Sequence, residues 1–365
     1  MTDGFRPTWA DVDLEAIRHN VRTLQPHDVE LMAVVKANGY GHGDVAVARA
    51  AIEAGASWCG VALVEEGLRL RQAGIEVPIL VLSEVPAGSE AVALAHRLTP
   101  TLYSGDALDR LTAAMPGPVA VHVKIDTGMH RVGVWPPENA VGFVQQVTAA
   151  GLLVEGLFTH FAKAEDDERI TSVQLAWFLE VAEQVRSDGH PIRLLHAANT
   201  AATIRHPEAH LDLVRPGIGL YGVEPGPGVG ADLGLRPALR WRSEVATVKR
   251  LPSGEAMSYG HRYQLARDSW IATVPVGYAD GYARQLTDRG EVLIAGRRCP
   301  IAGSVTMDQL LVDVGEAGAA RGDEVILIGT QGGESITVEE VAGVLGTVGH
   351  EVLSRIGERV PRRYA

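Results

Sequence analysis

Cysteine is scarce in this chain of 365 residues: only Cys59 and Cys299 carry thiols, so disulfides are not the framework of the fold. Aromatic residues make up 5% of the chain, no basic patch is interleaved with them, and the formal net charge is −12. Nucleic acid and anionic membrane surfaces are therefore poor partners, and the acidity reads as solubility. No apolar run reaches the length needed to cross a bilayer. The stretch Met1 to Trp9 has no charged-then-apolar leader pattern, which makes the cytoplasm the expected compartment. GxGxxG, Walker and CxxC patterns are all missing, leaving dinucleotide, nucleotide and zinc readings without support. His206 and His210 have the spacing of a helical metal pair, but Pro207 disrupts a helix there and they read as exposed loop histidines. No metal is expected.

What the chain does have is an ordinary globular composition, 46% hydrophobic and 21% charged, and length for two domains. Up to residue 222, short strand-like runs alternate with helical ones. The strands are expected at Leu31–Asn38, Trp58–Val64, Pro78–Ser83, Leu98–Ser104, Pro118–Thr127, Leu152–Phe161, Leu194–Thr200 and Leu211–Gly222. Helix-like segments lie between them, such as Asp44–Ala54, Glu65–Ala73 and Ile170–Arg186. Eight strand-then-helix repeats are the signature of a closed (β/α)8 barrel of TIM type; an open doubly wound sheet is the runner-up. After a Gly/Pro-rich linker, Val223–Pro237, the pattern turns mainly β. Strands are expected at Ser243–Val248, Trp270–Val276, Glu291–Ala295, Gln309–Val314 and Glu324–Ile328, with one helix at Val338–Leu345. The expected domains are a barrel over residues 10–230 and a mainly β domain over 231–365, joined by the N-terminal segment 1–9.

Active sites of such barrels gather at the C-terminal ends of the strands. Lys36 ends the first strand beside a glycine-rich loop, where an amine is held rigidly and partly desolvated, both of which favour the neutral form that attacks aldehydes. On the fifth strand His122, Lys124 and Asp126 share one face by alternation and should point inward, with Val121, Val123 and Ile125 facing the helices. Arg131 follows in the next loop, His160 ends strand six, Asn199 and Thr200 end strand seven, and Arg215, Gly217 and Ile218 lie on strand eight. Barrel phosphate sites use the loops after strands seven and eight, and Thr200 with the Pro216-Gly217-Ile218 amides suits a phosphate. Singly, each feature has a plainer reading: a solvated lysine, a turn at Pro216-Gly217, a Lys124–Asp126 ion pair.

Taken in order, the motifs resemble the alanine racemases over essentially the whole chain. They are Val34-Val35-Lys36-Ala37-Asn38-Gly39-Tyr40-Gly41-His42-Gly43, Lys124-Ile125-Asp126-Thr127-Gly128-Met129-His130-Arg131, Thr159-His160-Phe161, His196-Ala197-Ala198-Asn199-Thr200 and Arg215-Pro216-Gly217-Ile218-Gly219-Leu220-Tyr221-Gly222. The later part adds Ser258-Tyr259-Gly260, Gly277-Tyr278-Ala279-Asp280-Gly281 and Met307-Asp308-Gln309. The resemblance implies pyridoxal 5'-phosphate held as a Schiff base on Lys36, which is also one of two catalytic bases. It implies Tyr259 as the other base, reaching the site from the partner of a homodimer with shared active sites. It implies Arg215 facing the ring nitrogen, with His160 in the neighbourhood, and Tyr40, Asn199, Thr200, Gly217 and Ile218 among the cofactor's ligands. Arg131 and Met307 would bind the substrate carboxylate, Tyr278 and Asp308 would line the entrance, and Lys124 would be a carbamate orienting Arg131. The implied product, D-alanine, serves bacterial peptidoglycan.

The chain departs from the family's commonest pattern at His130, Thr200 and Thr306, and at Glu358, which stands where some members have a phosphate-reaching Tyr; Tyr364 is the expected substitute. The alternatives are a racemase of broader specificity, a fold-related decarboxylase or aldolase, and a non-catalytic cofactor-binding barrel. A Tyr in the Ser258-Tyr259-Gly260 setting argues against the second. A second domain bearing Met307-Asp308 argues against the third.

Overall fold

The structure, a computed structural model, describes residues 5–115 and 117–365. The chain divides into two units. One comprises residues up to Glu15, Tyr40–Gly43 and Pro237–Ala365; the other comprises Ala16–Gly39 and Asp44–Arg236. The first strand, β1 (Thr8–Val12), belongs to the former.

The latter unit is the barrel. Its strands are β2 (Glu30–Val34), β3 (Trp58–Val61), β4 (Ile79–Val81), β5 (Leu98–Thr99), β6 (Thr101–Leu102), β7 (Ala120–Lys124), β8 (Leu153–Phe158), β9 (Leu194–His196) and β10 (Leu213–Val214). All pairings are parallel, in the orders β10-β2-β3-β4-β5 and β6-β7-β8-β9. β5 and β6 are one barrel strand divided at Pro100, which has no N–H to give; its carbonyl still accepts from His122 N at 3.0 Å. Asp212 N donates to Leu195 O at 3.1 Å and Arg215 N to Ala198 O at 2.9 Å, which closes the ring between β9 and β10. Strands buried on both faces are near-continuously apolar, and Leu31, Met32, Ala33, Ile79, Leu80 and Val81 are all fully buried. Met32, Trp58, Leu80, Leu194 and Leu213 fill the interior as one cluster. Outside, the helix Glu168–Ser187 buries Thr171, Leu175, Phe178, Ala182 and Val185, a three-to-four residue spacing, and is capped by Asp167.

All eight barrel strands end before the sequence expectation, at Val34, Val61, Val81, Leu102, Lys124, Phe158, His196 and Val214, and for the first and the eighth the reason is local. The first barrel strand, β2, stops at Val34, because Ala37, Asn38, Gly39 and Tyr40 have φ of 51°, 54°, 59° and 50° and wind left-handed. The eighth stops at Val214: Pro216 lacks a donor, and the chain turns into a short 3-10 segment, Ile218–Tyr221.

The other unit is mainly β. Its larger sheet runs Arg297–Pro300, Glu291–Ile294, Glu324–Gln331, β11 (Leu239–Glu244), β1, then Arg362–Tyr364, so both ends of the chain sit side by side in it. A second sheet pairs Thr247–Leu251, Ser269–Val274 and Leu310–Gly315. The expected strand Ser243–Val248 straddles the break between β11 and Thr247–Leu251, whereas the helix Val338–Leu345 lies as expected.

Candidate active site

In the barrel, Lys36 opens the left-handed turn. Three of its four residues, Ala37, Asn38 and Tyr40, carry a Cβ and cost about 1–2 kcal/mol each in that conformation, whereas Gly39 adopts it freely, so the turn must be held from outside. Gly39 N donates to Val35 O at 2.9 Å, and Ala37 N to Glu66 Oε1 at 2.7 Å. The other oxygen of Glu66 accepts from Ala62 and Leu63 N. Glu66 is a buried carboxylate that anchors the lysine's turn, and the sequence reading missed it. Its signal was weak: a Glu at the third position of a helix, which ordinarily marks a cap. Burial, then the positive charge of Arg131, lowers the Lys36 amine below its ordinary value.

Lys124 ends β7 and is 6% exposed. Burial first, then Arg131, Arg215 and Lys36, bring its amine down to about 7. Asp126 does not pair with it; Oδ1 instead accepts from Gly128 N and His130 N, fixing the loop that carries the exposed Arg131. No Lys124–Asp126 ion pair forms, which corrects the plainer reading: Oδ1 is taken by backbone amides and Oδ2 lies 3.8 Å from His130 Nδ1, while the Asp126 charge, the weakest of the influences on Lys124, still favours its charged form.

Arg215 is fully enclosed. Nη2 donates to Thr159 O at 2.7 Å and Ala197 O at 3.0 Å, Nη1 donates to His196 Nδ1 at 2.9 Å, and His160 Nδ1 lies at 3.5 Å. Burial pulls it down to about 9, so it stays a cation at neutral pH. His160 is held well below its ordinary value by burial and then by Arg215, and is neutral. The ring of Phe158 has both Lys124, at 5.3 Å, and Arg215, at 5.4 Å, over it.

Thr200 Oγ1 accepts from Gly217 N at 2.9 Å and Gly219 N at 3.3 Å. The Gly217 and Gly219 N–H groups are thus spent on Thr200, and Pro216 has none, so the expected Pro216-Gly217-Ile218 amide set reduces to Ile218 N beside the Thr200 O–H, which is left to donate. A Cβ at Gly219 would meet Thr200 Cγ2 at 2.6 Å, so glycine there permits this approach. Asn199 caps the helix Thr200–Arg205 through Oδ1 to Ala202 N, and Ile218 begins the next turn, fully buried.

The β unit carries the remaining candidates. Ser258, with φ 61°, precedes Tyr259. Ser258 Oγ donates to Ser304 O at 2.8 Å and Ser304 Oγ returns a bond to Tyr259 O at 2.9 Å. These reciprocal ties fix the backbone while the Tyr259 side chain stands 75% exposed. Tyr278 N donates to Thr306 O at 3.0 Å and Ala279 N to Met307 O at 3.1 Å. Gly277 makes that approach possible, since a Cβ would lie 2.3 Å from both carbonyl oxygens. Asp308 pairs with Arg359 at 2.7 Å. Tyr40 is buried, its phenol pushed up by burial, with its ring 5.8 Å from His350. Tyr364 lies against the glycine loop: its hydroxyl occupies the space of a Cβ at Gly43. Arg362 Nε binds Gly41 O in the same loop.

A buried cation, two lysines with depressed pKa and a hydroxyl-and-amide turn fit a phosphorylated aldehyde cofactor, as an amine of this kind attacks aldehydes and the turn suits a phosphate. The sequence matches two family descriptions in succession, "Alanine racemase, N-terminal domain" over residues 12–225 and "Alanine racemase, C-terminal domain" over 238–364. It is 49% identical to the alanine racemase of Symbiobacterium thermophilum, covering 99% of this chain and 98% of the relative. It is 44% identical to that of Carboxydothermus hydrogenoformans, covering 99% and 100%. The crystal structure of alanine racemase from Streptomyces lavendulae superposes with a TM-score of 0.94 at 39% identity, covering 100% of this chain and 98% of the other. That from Bacillus anthracis with bound L-Ala-P superposes with a TM-score of 0.95 at 38% identity, covering 100% and 96%. The chain belongs to the alanine racemase family.

Proposed function

We propose that this chain interconverts L-alanine and D-alanine with pyridoxal 5'-phosphate as its cofactor. The observation that carries the reading is the Lys36 amine, lowered by burial and Arg131 at the end of a barrel strand. When bound, the cofactor supplies an aldehyde carbon for the substrate's amine and a ring that draws electron density from Cα. Lys36 would hold it, with Arg215 at the ring-nitrogen end and Tyr40, Asn199, Thr200, Gly217, Ile218 and Tyr364 toward the phosphate; His160 keeps company with Arg215.

Inversion at Cα requires a proton to leave one face and another to arrive at the opposite face. Lys36 Nζ serves one face. Tyr259 Oη serves the other, contributed by the second copy of a homodimer; its exposure in the single chain and its backbone ties support this role. Arg131 and the Met307 N–H hold the substrate carboxylate, and Tyr278 narrows the approach. Arg215 does not give up a proton at neutral pH, so it leaves the ring nitrogen without one. That weakens electron withdrawal, slowing the reaction while disfavouring side reactions. Lys124, with its amine near neutrality, has a neutral fraction able to attack CO2; the product is a carbamate anion and a released proton, and the new negative charge attracts Arg131. D-alanine for peptidoglycan and a cytoplasmic location complete the reading.

Borohydride reduction of the holoenzyme followed by peptide mapping tests it. The cofactor label is expected on the peptide containing Lys36, together with racemisation of L-alanine. A label on another lysine, or only carbon–carbon cleavage or CO2 release from a panel of L-amino acids, overturns it.

A further inference from the structure

Below the barrel mouth, a line of polar side chains crosses the interior. Arg215 Nη1 meets His196 Nδ1 at 2.9 Å, and His196 Nε2 meets His122 Nδ1 at 2.8 Å. His122 Nε2 faces Glu155 Oε2 at 3.8 Å, an electrostatic contact longer than a hydrogen bond. Arg193 binds both Glu155 and Glu30 at 2.8 Å, toward the strand starts at the opposite end of the barrel. Both imidazoles are completely buried.

The direction of this line is forced. A guanidinium has five N–H donors and no acceptor, so His196 Nδ1 must accept. The His196 proton then sits on Nε2 and is donated to His122 Nδ1. His122 keeps its own proton on Nε2, aimed at Glu155. Burial lowers the basicity of both rings, which keeps them neutral.

The barrel makes room for this pair. A Cβ at Gly156 would lie 2.6 Å from His122 Nδ1 and 2.7 Å from Cε1. The φ of Gly156 is not in the left-handed region, so the requirement for glycine comes from the ring. Phe158 stacks on His196 with centroids 4.8 Å apart and planes 7° from parallel, and Trp58 lies 5.3 Å from His122. The rings are therefore packed in place as well as bonded.

We propose that His122 is a positioning residue for Arg215, acting through His196. By accepting from His196 Nε2, it holds the His196 proton away from Arg215. Which ring nitrogen of a histidine carries the proton is set by the bond the other makes. Without that acceptor, His196 can carry its proton on Nδ1, and two donors then face each other where Arg215 is now fixed. The proposal rests on the reading above only in naming what Arg215 faces, the ring-nitrogen end of the cofactor.

The test uses holoenzyme with 15N-labelled histidine. In the unaltered protein, His196 is expected as a single tautomer protonated on Nε2. His122→Phe fills the space but removes the acceptor. It is expected to give mixed His196 tautomers, a shifted absorption maximum of the bound cofactor and a kcat about tenfold lower, with KM for alanine and cofactor content unchanged. His122→Asn, whose amide oxygen takes the place of Nδ1, is expected to restore the tautomer and most of kcat. Gly156→Ala displaces the ring and should repeat the Phe result. A Nδ1-protonated His196 in the unaltered protein overturns the proposal, even if no variant folds. So does a Phe variant with tautomer and kcat unmoved, or an Asn variant as impaired as Phe, which would make the role one of packing. The tautomer is read whether or not alanine turns over, so failure here is separable from failure of the racemase reading.

Discussion

Lys124 and Arg215 in the barrel are 6% and 4% exposed, whereas Tyr259 and Met307 in the β unit are 75% and 52% exposed. Arg215 is fixed through its side chain by bonds to carbonyls and an imidazole, and both it and Lys124 pack over Phe158. The β-unit groups are fixed through their backbone, by the Ser258–Ser304 ties and the close approach of Gly277 to Thr306 and Met307. Burial displaces the proton affinity of a side chain. Backbone anchoring leaves it reaching outward for a partner. One unit is built to tune chemistry and the other to present a group.

That contrast can be broken at several points. The largest effect is expected at the amine itself: Lys36→Ala should lower racemisation by on the order of 10⁴-fold or more. A loss of less than tenfold would remove Lys36 from the chemistry. Next comes Lys124. Its folded pKa, about 7, lies below the ordinary lysine value. Between the two, the unfolded chain binds a proton that the folded one does not, so this group makes stability rise with pH from about 7 toward the unfolded value. The deficit is full below pH 7. Lys124→Met should flatten that rise in CO2-free denaturation measurements, and an unchanged slope would deny the amine its displaced affinity. A smaller effect belongs to Thr200→Val, which keeps the shape but leaves the Gly217 and Gly219 amides without their acceptor. The expected cost is about 1–3 kcal/mol in urea unfolding, with Thr200→Ser near the unaltered protein. Equal stability of Val and Ser would mean the hydroxyl does not organise the turn.

Much of the barrel is legible in the sequence, because doubly buried strands read as apolar runs and the helices between them keep a three-to-four spacing. Alternation along the fifth strand sets His122, Lys124 and Asp126 on one side and Val121, Val123 and Ile125 on the other, and both sets are buried, as for a strand covered on two faces. What was lost depends on contacts distant in sequence. His122 and His196 are 74 residues apart, so their bond is invisible to any local pattern. Glu66 reaches back 29 residues to Ala37. In the β unit, Arg297–Pro300 is a strand that begins with two arginines and ends in proline, and Thr8–Val12 is a strand because β11 and Arg362–Tyr364, both more than 200 residues on, pair with it. Tyr364 is placed by that pairing against Gly43, which no motif near the C-terminus foretells.

The central claim is that one face of Cα is served by Lys36 and the other by Tyr259. Single-turnover deuterium exchange at Cα with Tyr259→Phe tests it most directly. Starting from L-alanine, exchange should fall by on the order of 10³-fold, while starting from D-alanine it should fall by less than about tenfold. Equal losses from the two enantiomers would contradict the assignment of one base to each face.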